Sequence, residues 1–313
     1  MKKSKRNKTI DFSIEEGRDF LKNAIYFNEN IKFNDLINKN IIGDTFEVLD
    51  YIKDNSIDLI IVDPPYNLRK NYHGNVFSEV SKKEYEEYTK SWILKLKDKL
   101  KENGSMYICC DWKSSIVIAN VISSHFIVRN RITWQREKGR GSKDNWKNSM
   151  EDIWYVTKSN EFTFNVEVVK KRRRVIAPYK QDGEAKDWKE DSNLKYRDTY
   201  PSNFWDDITI PFWSMKENTA HPTQKPEKLI AKLILASSNE NDLVLDPFAG
   251  SGTTAVTAKK LNRKYISIEQ NELYVAWAEK RLLDADEDKI IQGYEDKIFY
   301  DRNYRNRREA GNK

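Results

Sequence analysis

The chain has 313 residues, 38% hydrophobic and 33% charged, with a net charge of +6 from 55 basic and 49 acidic side chains. That length supports one large domain or two small ones, with a core that needs neither disulfides nor metals to hold it. Two adjacent cysteines, Cys109 and Cys110, and three scattered histidines, His73, His125 and His221, argue against a disulfide framework and against a Cys/His zinc site.

No apolar run approaches the roughly 20 residues that span a bilayer. The opening residues, MKKSKRNKTIDF, lack the apolar stretch of a signal peptide. The expected setting is therefore a reducing cytoplasm, with no membrane partner. Nine Trp, sixteen Tyr and thirteen Phe are many for so polar a chain. Basic surface interleaved with aromatics suits a partner with phosphates and flat bases. Lysine-rich composition with aromatics in the core accounts for the same numbers equally well.

Residues 1–40 form a basic extension led by Lys2, Lys3, Lys5, Arg6 and Lys8. Ile57-Asp58-Leu59-Ile60-Ile61-Val62 reads as a strand buried on both faces. A helical pattern follows over 82–101, ended by Gly104. Residues 105–110 then read as a strand, 114–124 as a helix and 127–134 as extended chain. This alternation predicts an α/β layered sheet. From 136 to 220 no clean period survives, and basic clusters and aromatics dominate, so the stretch reads as an insertion beside the sheet. Order returns with a helix over 226–237 and a strand over 243–245. A Gly-rich turn, a helix to 261, a strand over 265–268 and a helix over 271–283 complete the pattern. Residues 284–313 are charged, end in Arg302, Arg305, Arg307 and Arg308, and read as a mobile or loosely docked tail.

Two loops follow buried strands, the place where open α/β sheets bind ligands. The first is Asp63-Pro64-Pro65-Tyr66. Two prolines fix φ twice and cannot continue a ladder, so they hold a rigid turn between a carboxylate and an aromatic ring. Such a turn can grip a planar group bearing an amine: Tyr66 stacks on its face, while Asp63 and a backbone carbonyl accept its N–H hydrogens. The second is Asp246-Pro247-Phe248-Ala249-Gly250-Ser251-Gly252-Thr253-Thr254. Its glycines allow a tight turn and close backbone approach. Glu269 ends the next strand, near the ~20-residue spacing at which a Rossmann-type unit places an acid on ribose hydroxyls. No Gly-Lys-Ser/Thr is present, which disfavours a phosphate-binding loop.

Together the two motifs resemble those of the beta class of S-adenosylmethionine-dependent DNA amino-methyltransferases of restriction–modification systems. The catalytic motif comes first, the variable insertion second and the cofactor motif last. His221-Pro222-Thr223-Gln224-Lys225-Pro226 and Ile132-Thr133-Trp134-Gln135 match the same class. The resemblance covers roughly residues 41–283. It implies a circularly permuted, Rossmann-like methyltransferase sheet with an inserted target-recognition region. The catalytic half would be 41–135, target recognition 136–220 and the cofactor half 221–283.

Carried over by position, the resemblance assigns catalysis to Asp63, Pro64, Pro65 and Tyr66. It assigns S-adenosylmethionine to Asp246, Pro247, Phe248, Ala249, Gly250, Ser251, Gly252, Thr253 and Thr254, with Glu269 on the ribose. Asp44 is assigned to the cofactor's adenine, with the cap of the following helix as the competing reading. Lys225 is assigned to the cofactor carboxylate, or else to solvation of a helix start. Trp134 would pack on an extruded base opposite Tyr66, or serve as a core tryptophan. His221 reads as a structural hydrogen-bonder. Arg136, Lys138, Arg140, Lys143, Arg172, Arg173 and Arg174 are the DNA-contact candidates, most of them for phosphates.

The implied substrate is N6 of adenine in double-stranded DNA, with no metal. N4 of cytosine is the nearest alternative, and an RNA amine a more distant one. The family setting also allows a cognate restriction endonuclease and a homodimer as partners, and a nucleoid location through DNA.

Overall fold

The computed structural model describes residue 4 and residues 6–301, apart from 69, 73, 74, 137–140, 142, 176–179, 186, 192 and 193. Nine strands form the main sheet. In chain order they are β1 (Ile25–Tyr26), β2 (Lys39–Ile42), β3 (Ile57–Val62), β4 (Leu100–Cys110), β5 (Ile127–Gln135), β6 (Met150–Thr157), β7 (Phe204–Trp205), β8 (Leu243–Asp246) and β9 (Lys264–Glu269). In space the order is β1-β2-β9-β8-β3-β4-β6-β5-β7. Every pairing is parallel except the two made by β6, so β6 alone runs against the rest.

The two strands read as fully buried are neighbours. Val244 pairs with Leu59 and Leu245 with Ile60. From β3 the chain moves outward to β4, and from β8 it moves outward the other way to β9. The carboxyl ends of β8 and β3 therefore flank a topological switch point, where such sheets open a crevice.

Five helices of eight residues or more cover the sheet: α1 (Lys82–Lys99), α2 (Trp112–Ser123), α3 (Glu227–Ser237), α4 (Thr253–Lys260) and α5 (Glu272–Glu287). Successive residues of β3 point to opposite faces. Ile60 and Val62 join Trp92, Ile93, Leu96, Ile118 and Ile122 in the core beneath α1 and α2. Leu59 and Ile61 join Leu229, Leu233, Val256 and Leu282 beneath α3, α4 and α5. Cys109 and Cys110 divide between the two cores in the same way. Burial pushes both thiols well above their ordinary values, which keeps them protonated and unreactive.

Three expectations change. Two strands of the main sheet, β6 and β7, fall inside 136–220. Seven of the eight residues of β6 are buried or half-buried on both faces, starting with two acids, so the stretch shows no period-2 alternation. The last helix runs on to Glu287. Beyond it, Ile298–Tyr300 is no loose tail: it pairs in parallel with Lys171–Arg174, and Phe299 is fully buried beside Val169 and Leu235. A few apolar residues set among charges, Ile291, Tyr294 and Phe299, carry that docking, which composition averages away. The five-stranded sheet so formed also contains 189–191, 194–199 and 294–295.

The N-terminal extension docks too. Trp277 of α5 donates its indole N–H to the Phe12 carbonyl at 3.3 Å, and Ile10 forms a bridge with Thr219. Among the described residues no helix is long and apolar enough to cross a membrane, and no group of three or more acids, histidines or cysteines could hold a metal ion.

Candidate active site at the carboxyl edge of the sheet

Four parallel strands that are neighbours in space each deliver an acid to the same edge. Reading across β2, β9, β8 and β3, these are Asp44, Glu269, Asp246 and Asp63. They surround one cavity of ≈ 300 Å³. Asp63, Pro64, Pro65 and Tyr66 line it. Asp44, Lys225, Glu269 and the turn from Asp246 to Ser251, with Thr253 and Thr254, line it as well. Gly252 is the one predicted cofactor residue that does not. It sits at φ +73°, and a Cβ there would come within 2.5 Å of Ala278 Cβ. Its task is to let α4 pack on α5.

Gly250 has a different reason to be glycine. Its φ is +51°, and a Cβ would lie 3.0 Å from His221 Nε2, on the cavity wall. The Gly250 amide donates to Glu269 Oε2 at 2.9 Å, and the Asn271 amide to Oε1 at 2.9 Å. Glu269 thus brackets the turn as well as lining the cavity. Burial raises its carboxyl, opposed by these backbone N–H bonds. Asp246 accepts the Phe248 amide at 3.1 Å. Burial pushes Asp246 up to about 7, against that bond and one from Thr254, with the charges of Asp63 and Glu269 adding to the rise.

Asp44 is the helix cap, and it stands at the cavity as well. Its Oδ1 caps the short helix Thr45–Leu49 through the amides of Phe46 and Glu47. His221 is a structural hydrogen-bonder: its Nδ1 accepts the Thr223 amide at 3.3 Å, and its ring meets Tyr274 edge-on with centroids 4.5 Å apart.

On the Asp63 side the geometry differs from expectation. Lys225 Nζ donates to Asp63 Oδ2 at 2.7 Å and to the Tyr66 hydroxyl at 3.2 Å, and lies 3.2 Å from Glu151 Oε2. Burial disfavours its charge, but Asp63 and Glu151 outweigh that and hold the ammonium above the ordinary lysine value. Lys225 therefore gives two hydrogen bonds to the Asp63 turn and pairs with Glu151 as well as lining the cavity. Tyr66 donates its hydroxyl to Asp63 Oδ1 at 2.8 Å. Burial, with the charges of Asp63 and Glu151, lifts the phenol well above its ordinary value, so it stays a neutral donor. Tyr85 braces the turn by donating to the Pro65 carbonyl at 3.3 Å.

Trp134 does not reach the cavity. It is 2% exposed and donates its indole N–H to the Ile208 carbonyl at 2.9 Å, as a core residue of the α3 face. Arg136 pairs with Glu151, which brings it to the rim of the Asp63 cluster. Arg172 is held by Asp198 through two bonds of 2.8 Å and lies 4.0 Å from the Tyr196 ring centroid. Arg173 lies 3.6 Å from Asp301, while Lys143 and Arg174 are exposed. Lys138 and Arg140 lie outside the described residues.

Two features packed against the site escaped the sequence reading. Glu151 is one. The other is a buried charge network beneath the Gly-rich turn. Arg281 donates to the Ser251 carbonyl at 2.8 Å and pairs with Glu227 at 3.0 Å, and Glu227 pairs with Lys260 at 2.7 Å. Nearby, burial and the charge of Glu227 push Glu217 up to about 7. A charged residue within an apolar helix pattern, as Glu227 and Arg281 are, was the available signal.

S-adenosylmethionine carries a positively charged sulfur and an ammonium group. A cavity walled by four buried or half-buried acids, with a glycine whose Cβ would close it against His221, fits such a cation. Residues 57–280 match a family model described as DNA methylase, N6_N4_Mtase. The type II methyltransferase M.HpaI of Haemophilus parainfluenzae is 36% identical over 245 residues, 77% of this chain and 73% of that protein. The DNA adenine methyltransferase YhdJ of Escherichia coli (strain K12) is 34% identical over 248 residues, 77% of this chain and 81% of that protein. Among solved structures, the PvuII DNA methyltransferase (cytosine-N4-specific) superposes with a TM-score of 0.59 at 20% identity, covering 80% of this chain and 92% of that one, a likeness of fold. An M1.HpyAVI–SAM complex gives a TM-score of 0.54 at 26% identity, covering 78% and 98%. With the family model spanning most of its length and relatives this close, the chain belongs to the DNA methylase family that the N6_N4_Mtase model describes.

Proposed function

We propose that the chain methylates N6 of adenine at specific sites in double-stranded DNA, with Asp63, Pro64 and Tyr66 gripping the base. The observation that carries this reading is the single cavity shared by the Asp63 turn and the Asp246–Thr254 turn. One turn has the chemistry to hold an amine, the other to hold a cationic methyl donor.

The exocyclic amine is a poor nucleophile because its lone pair is delocalised into the ring. It is also out of reach inside a duplex, so the base must be extruded at a cost of a few kcal/mol. Stacking on Tyr66 returns roughly 1–3 kcal/mol of that. Asp63 and the Pro64 carbonyl then accept the two amine hydrogens, which draws the nitrogen toward tetrahedral geometry and localises its lone pair. When bound, S-adenosylmethionine supplies a methyl group on a positively charged sulfur. Asp246, Glu269 and Asp44 hold and orient the cofactor within the cavity, and burial excludes competing water. Positioning and electrostatics account for the catalysis, with no nucleophile of the protein involved.

Two observations bear on the base. In this family an Asp at the head of the first motif leans toward adenine, and YhdJ is named an adenine methyltransferase. The PvuII enzyme, named cytosine-N4-specific, keeps the second reading in view. Digesting methylated DNA to nucleosides separates the two: N6-methyl-2′-deoxyadenosine is expected, and N4-methyl-2′-deoxycytidine would overturn the adenine assignment. We assign target recognition to the segment 141–149 and to the sheet built on Lys171–Arg174. Trp146, 93% exposed between Lys143 and Lys147, supports this as a base-stacking group among phosphate-seeking charges.

A further inference from the structure

Reading Asp63 as the amine acceptor leaves one buried acid beside it without a task. Glu151 is 4% exposed. It lies near the start of β6, the strand that runs against the others, so it reaches the carboxyl edge from a strand's amino end. A buried carboxylate persists only where it is well partnered. Arg136 bonds its Oε1, and Lys225 Nζ lies 3.2 Å from its Oε2. Lys225 in turn holds Asp63 Oδ2 at 2.7 Å. The result is a chain of alternating charge, Arg136–Glu151–Lys225–Asp63.

This chain treats the two oxygens of Asp63 differently. Oδ2 carries a cation, whereas Oδ1 carries the neutral Tyr66 hydroxyl at 2.8 Å. An arriving amine can replace a phenol without leaving a charge unpaired. Replacing Lys225 would strand a buried ammonium, which is far more costly. The asymmetry depends on Glu151 drawing Lys225 to one side. With that charge gone, the ammonium would centre on Asp63 and compete for both oxygens.

We propose that Glu151 is a positioning residue for methyl transfer: it confines Lys225 to Oδ2 of Asp63 and so keeps Oδ1 for the amine of the extruded base. This rests on the reading of Asp63 given above. A Glu151 that merely tied β5 to β6 through Arg136 would matter for stability alone.

The test uses the full chain, S-adenosylmethionine and duplex DNA carrying the methylated site, with 2-aminopurine at the target in a parallel duplex. For Glu151→Gln, single-turnover transfer should fall roughly 10–100-fold. The dissociation constant for S-adenosylmethionine and the 2-aminopurine signal of base extrusion should stay close to wild type. The double variant E151Q/K225Q should turn over at least as fast as Lys225→Gln alone, because with Lys225 gone Glu151 has no ammonium left to confine. That comparison stands even if Glu151→Gln alone fails to fold. Wild-type turnover by Glu151→Gln, with Asp63→Ala inactive in the same assay, would overturn the role of Glu151 and leave that of Asp63. So would a double variant slower than Lys225→Gln. Turnover retained by Asp63→Ala would remove both.

Discussion

Lys225 and Asp63 stand 162 positions apart in the chain, and their charged atoms meet at 2.7 Å. The pair joins the turn after β3 to the segment that leads into α3. Thr253, in the first turn of α4, fastens the same segment by donating to the Lys225 carbonyl at 3.1 Å. The Asp63 turn and the start of α4 are thus linked through one residue, Lys225. Lys225→Gln should lower the turnover number more than it weakens S-adenosylmethionine binding. It should also cost about 2–4 kcal/mol of stability, somewhat below a fully buried pair because Asp63 is 25% exposed. Denaturant unfolding and calorimetric titration with the cofactor check the two parts.

Asp246 makes cofactor binding sensitive to pH. Burial raises it to about 7 in the free protein, from an ordinary value near 3.8. A cation in the cavity favours the ionised form, so binding releases a proton. Affinity for S-adenosylmethionine should rise up to roughly tenfold between pH 6 and 8. The folding contribution has the opposite sign: the folded chain holds the extra proton, so this contribution is full below about pH 4 and is lost as pH rises through 7. Asp246→Asn should bind more weakly and flatten the first dependence. Titrations across that range, in wild type and variant, measure both.

Gly250→Ala probes the cofactor turn. A left-handed φ costs a non-glycine residue roughly 1–2 kcal/mol, and the new methyl must displace His221, whose Nε2 it would meet at 3.0 Å. Binding of S-adenosylmethionine should weaken by about tenfold or more, with the fold retained. An unchanged dissociation constant would show that the turn does not touch the cofactor.

What the sequence made legible follows from contrast. Ile57–Val62 and Leu243–Asp246 are short apolar runs that end on Asp-Pro, so both their burial and their strand ends could be read, and their adjacency followed from the resemblance. Glu151 is hidden because β6 is buried on both faces after Met150 and carries two acids near its start, a pattern that reads as loop. Its meaning comes only from β6 running backwards against β4, a non-local fact. Trp134 was placed on a strand correctly, but which neighbour its indole meets depends on Ile208, far along the chain. Arg172 could not be told from Arg174 by composition. The pairing of Lys171–Arg174 with Leu194–Thr199 sets Asp198 opposite Arg172 and leaves Arg174 exposed.

That last difference gives a prediction about DNA contacts. Arg172→Ala should cost about 1 kcal/mol of stability and change DNA affinity little. Arg174→Ala should leave stability alone, weaken DNA binding at every sequence, and reduce the salt slope by about 1. Anisotropy titrations with duplex DNA at several salt concentrations, beside thermal melts, distinguish the two. Equal effects of both substitutions on DNA affinity would count against the assignment of this sheet.

The central claim is that the Asp63 turn holds the acceptor amine while the Asp246–Thr254 turn holds the methyl donor in the same cavity. Asp63→Ala tests it most directly when methyl transfer to DNA and S-adenosylmethionine binding are measured on one preparation. The account predicts transfer lowered by at least roughly a thousandfold, with cofactor affinity within a few-fold of wild type. Near-normal transfer, or loss of cofactor binding in step with transfer, would contradict it.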